Sequence, residues 1–432
     1  MASRDAGERL TAADASNVVL DAADQVNVFL LAGLLGTGGF VGADGSADLD
    51  RVRADIGTRL RDPELRELAR FSQRVVERSG RLVWERVEPD LRWHVRPADP
   101  VEGLAGLGDL AASLMVRPLP ADRPGWELLV VPGAADTSPG IVLRAHHAIA
   151  DGVAGVRLAE LLFGDGVGSV PSPAGPTADR PPRRPRPWWR RAATGAVRIA
   201  AMLRHAVPPT VLLGPISPHR GVAFAETDLA TLASAARAAG GTINDALLAA
   251  VAAATVEGLR TGGHPIPTLL PVSVPVALPD RAGSGNAVGV MMVELPTDVS
   301  DTAVRTSRIA TATRAAKAEA RAAGTYELTR SRWGSRAFAW LARRQRFIAL
   351  FVTNVRGPAT GLAISGAPVT HAWPVTPIQG NVRLGVAALS YAGRLACAVH
   401  VDADALDARI VARALAAEFT SLGREGGMSV RA

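Results

Sequence analysis

The residues best suited to chemistry in this chain are His146 and His147, followed after three residues by Asp151 and Gly152. Imidazole titrates near neutral pH, so a histidine whose direction is fixed by a strand end can take up and return a proton. Asp151 can hold the local backbone, or pair with an arginine, without touching a substrate. Gly152 permits a backbone conformation or a close approach denied to a side chain. A lone His-x-x-x-Asp is common by chance and then usually lies in a solvated loop. Here the doubled histidine, the terminal glycine and the preceding run Ile141-Val-Leu-Arg-Ala argue against coincidence. That run reads as a buried strand ending at the histidines. A helical pattern starts from Val156 and continues through Leu158, Leu161 and Leu162, which leaves His147 to Gly152 as the connection.

Other catalytic signatures are missing from the sequence. No Gly-x-Ser-x-Gly provides a nucleophile elbow. Neither His-Glu-x-x-His nor paired Cys-x-x-Cys is present, so no metal site is expected. The stretch Gly36-Thr-Gly38-Gly39-Phe-Val-Gly42 has the look of a nucleotide loop, but no helix begins directly on its glycines. A plain strand exit is the better reading.

The pattern His146-His147-x-x-x-Asp151-Gly152 resembles the motif of acyltransferases related to chloramphenicol acetyltransferase, which include the peptide-synthetase condensation domains. Within that group the chain is most similar to the bacterial wax ester synthase/diacylglycerol acyltransferase family. Further elements follow in that family's order. They are Arg117-Pro-Leu119, then Arg123-Pro124-Gly-Trp126-Glu127 and a strand, Leu213-Gly-Pro215, Asn244-Asp245, Pro271-Val-Ser273, Gly285-Asn286 and Thr353-Asn354-Val355-Arg356-Gly357-Pro358. Leu213, Pro275, Thr353 and Arg356 depart from the family pattern. The likeness runs from about Leu10 to Leu422.

The resemblance implies an α/β fold of two chloramphenicol acetyltransferase-like halves, with mixed sheets flanked by helices and one active centre between them. It implies acyl-CoA as co-substrate with no bound cofactor, and an alcohol acceptor such as diacylglycerol or a fatty alcohol. His147 is then the general base, with His146 and Asp151 supporting it and Gly152 completing the motif. Trp126, Asn244, Asp245 and Asn354 are the expected substrate contacts. From the residues alone, Trp126 reads more often as a core or loop anchor than as a ligand contact, and Asn244-Asp245 as helix caps. Two other functions stay open: a specialised-metabolite or condensation-type enzyme using another thioester or a carrier protein, and a basic lipid-binding protein without catalysis.

At 432 residues the chain exceeds one ordinary core, and two domains of about 150–200 residues each are expected. Hydrophobic residues make up 48% and charged residues 21%, which describes a globular chain. The net charge of +7 allows anionic lipid, coenzyme A or nucleic acid as partners, and composition does not choose among them. The histidine motif turns the choice away from nucleic acid. A single cysteine, Cys397, excludes an internal disulfide and fits a reducing compartment. With no signal peptide and no apolar run of roughly 18 residues, a cytoplasmic location is expected, either free or peripheral at a membrane or lipid-droplet surface.

The chain divides into residues 1–163, which carry the histidine motif, a Pro/Arg-rich linker with an amphipathic helix over 164–209, and a second half over 210–432. Trp188-Trp189 among arginines suits either an anionic-lipid interface or a solvated linker. Helices are expected at Leu10–Ala22, Leu49–Leu68, Gly103–Leu114, Leu229–Ala239, Arg305–Ala323 and Ala408–Leu422. Strands are expected at Val26–Leu35, Arg81–Val87 and Leu91–Val95, among others.

Overall fold

A computed structural model describes residues 8–22, 24–150, 152–164, 207–277, 288–322 and 340–429. The linker with Trp188-Trp189, the pair Gly285-Asn286, and Asp151 lie outside the described residues.

Alternating or uniformly apolar runs make two six-stranded mixed sheets. The first takes β2 (Val28–Leu35), β5 (Val95–Pro97), β6 (Trp126–Val131) and β7 (Gly140–His146) from the beginning of the chain. It is completed by β12 (Ala363–Ile364) and β13 (Ala367–Val375), in the order β12-β13-β2-β7-β6-β5. The second contains β8 (Arg220–Asp228), β9 (Leu269–Ala277), β10 (Val288–Pro296), β11 (Leu350–Arg356), β14 (Leu384–Tyr391) and β15 (Arg394–Asp402), in the order β10-β9-β11-β14-β15-β8. A small sheet of β1 (Glu8–Arg9), β4 (Arg81–Arg86) and β3 (Gln73–Arg78) flanks the first. Sheet membership therefore departs from chain order: residues 363–375 follow the linker yet pair with β2.

Three apolar clusters fill the space around the sheets. One, built on the buried helix Ile243–Thr261, forms the core of the second half. Another lies beneath the histidine loop and takes in Val355, Leu389 and Tyr391 from the second half. The third is shared. Val28, Leu30 and Ala32 of β2 and Leu107 and Ala111 of the helix Gly103–Leu114 pack with Val222, Trp373 and Ala396. The halves thus share buried apolar surface, worth roughly 25 cal/mol per Å2 removed from water.

Three expectations change. The helix from Leu49 stops at Arg61, because Pro63 disfavours helical backbone at Asp62. The expected strand Leu91–Val95 is one helical turn, Leu91–His94, capped by the Asp90 carboxylate, which accepts from Arg92 N–H at 3.1 Å. The helix after the histidine loop starts at Gly152 rather than near Val156. Among the described residues no single helix is long and apolar enough to cross a membrane.

His94 and His400 are buried to 0 and 1% exposure. Nδ1 of each faces a backbone carbonyl, of Trp126 and Thr376 respectively. Burial lowers both to about 4. Between pH 6.5 and 4 the unfolded chain then binds more protons than the folded one, so stability falls as pH falls. The full loss approaches about 3 kcal/mol per histidine. Urea unfolding at pH 7.5 and pH 5 should show this slope, and His400→Gln should make it shallower. An unchanged slope in that variant would remove His400 from the account.

Candidate active site

β7 explains why the histidines stand where they do. Gly140 to Ala145 are all buried, because the strand is central, between β2 and β6. Beneath it lies a buried ion pair. Arg144, 3% exposed, donates through Nε to Glu127 at 2.6 Å, and Glu127 is 0% exposed. Arg144 also donates to the carbonyls of Leu114 and Arg117, at 2.6 Å each. Burial pulls its pKa down and the Glu127 charge opposes that. The elements Arg117-Pro-Leu and Trp126-Glu127 thus form the socket that receives Arg144, two residues before His146.

At the strand end the chain turns sharply. His146 N–H donates to the Gly125 carbonyl at 2.9 Å, and Ile149 N–H donates to the His146 carbonyl at 2.9 Å. Nδ1 of His146 accepts from Ala148 N–H at 3.0 Å. The neutral ring therefore carries its proton on Nε2, which lies 3.2 Å from an Asp21 carboxylate oxygen. The other Asp21 oxygen accepts from Asn27 N–H at 2.8 Å. His146 is thus bonded both within the turn and to Asp21.

His147 is held by its backbone on both sides. Its N–H donates to the Asn27 carbonyl at 3.0 Å, and its carbonyl accepts from Asn17 Nδ2 at 3.2 Å. The ring meets Phe29 edge-on, with centroids 5.4 Å apart. Burial lowers its pKa to about 4, helped by the nearby His146, while a hydrogen bond with the Ala150 backbone works the other way. At neutral pH the ring is uncharged and able to accept a proton.

Asn17, Asp21 and Asn27 escaped the sequence reading. A signal was present. Asn17 and Asp21 stand four apart, so they share one side at the end of the helix Ala12–Leu20. Asn27 directly precedes the strand that pairs with β7.

The other expected site residues fare differently. Gly152 opens the helix Gly152–Phe163, and a Cβ there would lie 3.2 Å from Val355 Cγ2. A side chain there would press on the second half; the residue is not among those with positive φ. Val355 brings β11 to the histidine loop, and Asn354 beside it is half-buried, pairing with Ala388 of β14. Strand alternation turns Asn354 to the opposite face from Val355.

Trp126 is corrected from ligand contact to core anchor. It is 0% exposed, its Nε1 donates to the Phe71 carbonyl at 2.9 Å, and its ring stacks on His94 at 4.4 Å. Asp245 is likewise structural. One oxygen accepts from Thr242 N–H at 2.8 Å and Thr242 Oγ1 at 2.7 Å, and the other accepts from Thr313 Oγ1 at 2.7 Å. Thr242, not Asn244, is the helix cap, and Asn244 is a half-buried residue of the first turn.

Comparison with known proteins agrees along most of the chain. Residues 10–199 match the wax ester synthase/diacylglycerol acyltransferase catalytic domain, and residues 284–423 match the WS/DGAT C-terminal domain. A probable diacylglycerol O-acyltransferase of Mycobacterium tuberculosis is 31% identical over 395 residues, covering 81% of this chain and 84% of that protein. A second, putative diacylglycerol O-acyltransferase of M. tuberculosis is 29% identical over 395 residues, covering 80% and 82%. Among solved structures, the wax ester synthase/diacylglycerol acyltransferase from Marinobacter aquaeolei VT8 superposes with a TM-score of 0.70 at 23% identity, covering 97% of this chain and all of that one. The starter condensation domain of rhizomide synthetase, solved with C8-CoA and Leu-SNAC, gives 0.57 at 13% identity, covering 98% and 94%. These two likenesses establish the fold, the pair of chloramphenicol acetyltransferase-like halves.

Proposed function

The chain belongs to the wax ester synthase/diacylglycerol acyltransferase family and is an acyltransferase, and from that premise we propose that it moves a long-chain acyl group from acyl-CoA directly to the hydroxyl of diacylglycerol or a fatty alcohol. The observation that carries this reading is His147: uncharged, pinned by its backbone on both sides, and set where Val355 of the second half meets the loop.

His147 takes the proton of the acceptor hydroxyl while that oxygen attacks the thioester carbon. The tetrahedral species collapses with loss of thiolate, and the imidazolium returns its proton to the sulfur. Both substrates meet at the histidine, so no acyl-enzyme is required. The relatives' names supply the acceptor class, and the fold shared with a domain solved with C8-CoA supports the donor. Acceptors of this kind partition into membranes and droplets, so the reading makes the protein a cytoplasmic enzyme working peripherally at a lipid surface.

The test is thiol release from acyl-CoA donors from acetyl to stearoyl, with diacylglycerol, fatty alcohols and amines as acceptors. Release should rise with chain length, depend on an alcohol, and yield the labelled ester. Turnover confined to amines or to carrier-protein thioesters would replace this reading with a condensation-type one.

A further inference from the structure

Asn27 is 2% exposed and uses every polar group it has. Its N–H donates to Asp21 and its carbonyl accepts from His147 N–H. Its side-chain Nδ2 donates to the Asn17 carbonyl at 2.9 Å. A carbonyl can only accept, so this contact fixes the orientation of the amide and turns Oδ1 the other way. There it accepts from Nε2 of Gln379 at 2.8 Å.

Gln379 belongs to the second half of the chain. It lies on the return from β13, in the first sheet, to β14, in the second. That return is tightly built on either side of it. Gln25 clamps the Gly380 backbone with two bonds, accepting at 2.8 Å and donating at 2.7 Å. Gly380 has φ +69°, and a Cβ there would lie 2.6 Å from the Ala342 carbonyl oxygen. Asn381 exchanges two bonds with Gln345, at 2.8 and 2.7 Å.

We propose that Gln379 is a positioning residue for His147: it orients the Asn27 amide, which holds Asn17 and through it the His147 carbonyl, so that the second half sets the base in the first. The proposal rests on the functional reading above only for its kinetic consequence. A hydrogen bond that merely joined the halves would not have to end on the residue that holds the His147 N–H itself and, through Asn17, the His147 carbonyl.

Gln379→Leu leaves Asn27 Oδ1 buried without a donor and frees its amide to turn. Turnover should fall about 10- to 100-fold, as misplacement of a reacting group does, with KM for acyl-CoA changed less than about twofold. Combining it with Asn17→Ala should cost little more than the worse single change, since both break one chain of contacts. Arg343→Ala serves as the seam control. It removes the exposed Arg343–Asp24 pair, 2.6 and 2.9 Å, while leaving Gln379 in place, and turnover should stay within about twofold. Gln379→Met retains more flexible bulk should the leucine variant fail to fold.

A second readout needs no turnover. The ring titration of His147 by NMR, assigned with His147→Ala, should move from about 4 toward 6.5 in Gln379→Leu as the loop loosens around a ring faced by His146. If the wild type releases no thiol from acyl-CoA, the functional reading fails and the titration alone decides this proposal. An unmoved midpoint with turnover within about twofold of wild type overturns it, as does an additive double variant.

Discussion

His147→Ala is expected to lose about 100- to 10,000-fold in turnover, the range that general-base catalysis contributes, while KM for acyl-CoA changes far less. The ring is half-buried against Phe29, and its backbone bonds to Asn27 and Asn17 survive the substitution, so the variant should fold. The pH profile carries the same assignment. A base must be unprotonated, and burial holds this one at about 4. Turnover should therefore be flat from pH 8 to about pH 6 on this limb and decline as pH falls toward 4. His94 and His400 destabilise the fold over the same interval, so each activity point has to be read beside a melting curve at that pH. A folded His147→Ala protein with near-wild-type turnover sinks the mechanism, and a trapped covalent acyl-enzyme sinks direct transfer.

Glu127→Ala should be the most damaging single change to stability, at about 3–5 kcal/mol, because it strands a buried guanidinium. Arg144 is 3% exposed and its other donors already serve Leu114 and Arg117. Removing the Arg144 charge as well, with Glu127→Leu and Arg144→Met, should recover much of the loss, since no buried guanidinium is then stranded and Arg96, the other partner of Glu127 at 2.5 Å, is a third exposed and stays solvated. Urea unfolding of the single and double variants measures this directly. Equal losses in the two would mean that the carbonyl contacts of Arg144 outweigh its pairing with Glu127.

Much of the fold was legible in the sequence because its signals are local. The apolar run before His146, the bounds Gly103–Leu114, and the helix start at Ala408 each rest on neighbouring residues. Local competition misled where two readings used the same letters. Leu91-Arg-Trp-His-Val alternates like a strand, yet Asp90 caps a turn there. Trp126 stands in a motif near the histidines, yet burial claims it for the core. At the site, the motif singled out His147, but the residues that hold it did not announce themselves. Asn17 and Asp21 lie more than a hundred positions from His147, and Gln379 more than two hundred on the other side. A chain of amides joining such distant segments has no periodicity to betray it.

The placement of β12 and β13 in the first sheet has a consequence for how the protein is made. Until residue 375 has left the ribosome, β2 has β7 on one side and an open edge on the other. That edge, Val28-Phe-Leu-Leu-Ala-Gly-Leu-Leu35, carries no charge and no proline, the features by which edge strands resist pairing with other chains. The first half must wait through more than two hundred residues of synthesis with this strand exposed, and a chain cut at the linker would keep it exposed for good. The linker marks where the sequence pauses; the last strand to arrive is what closes the first half.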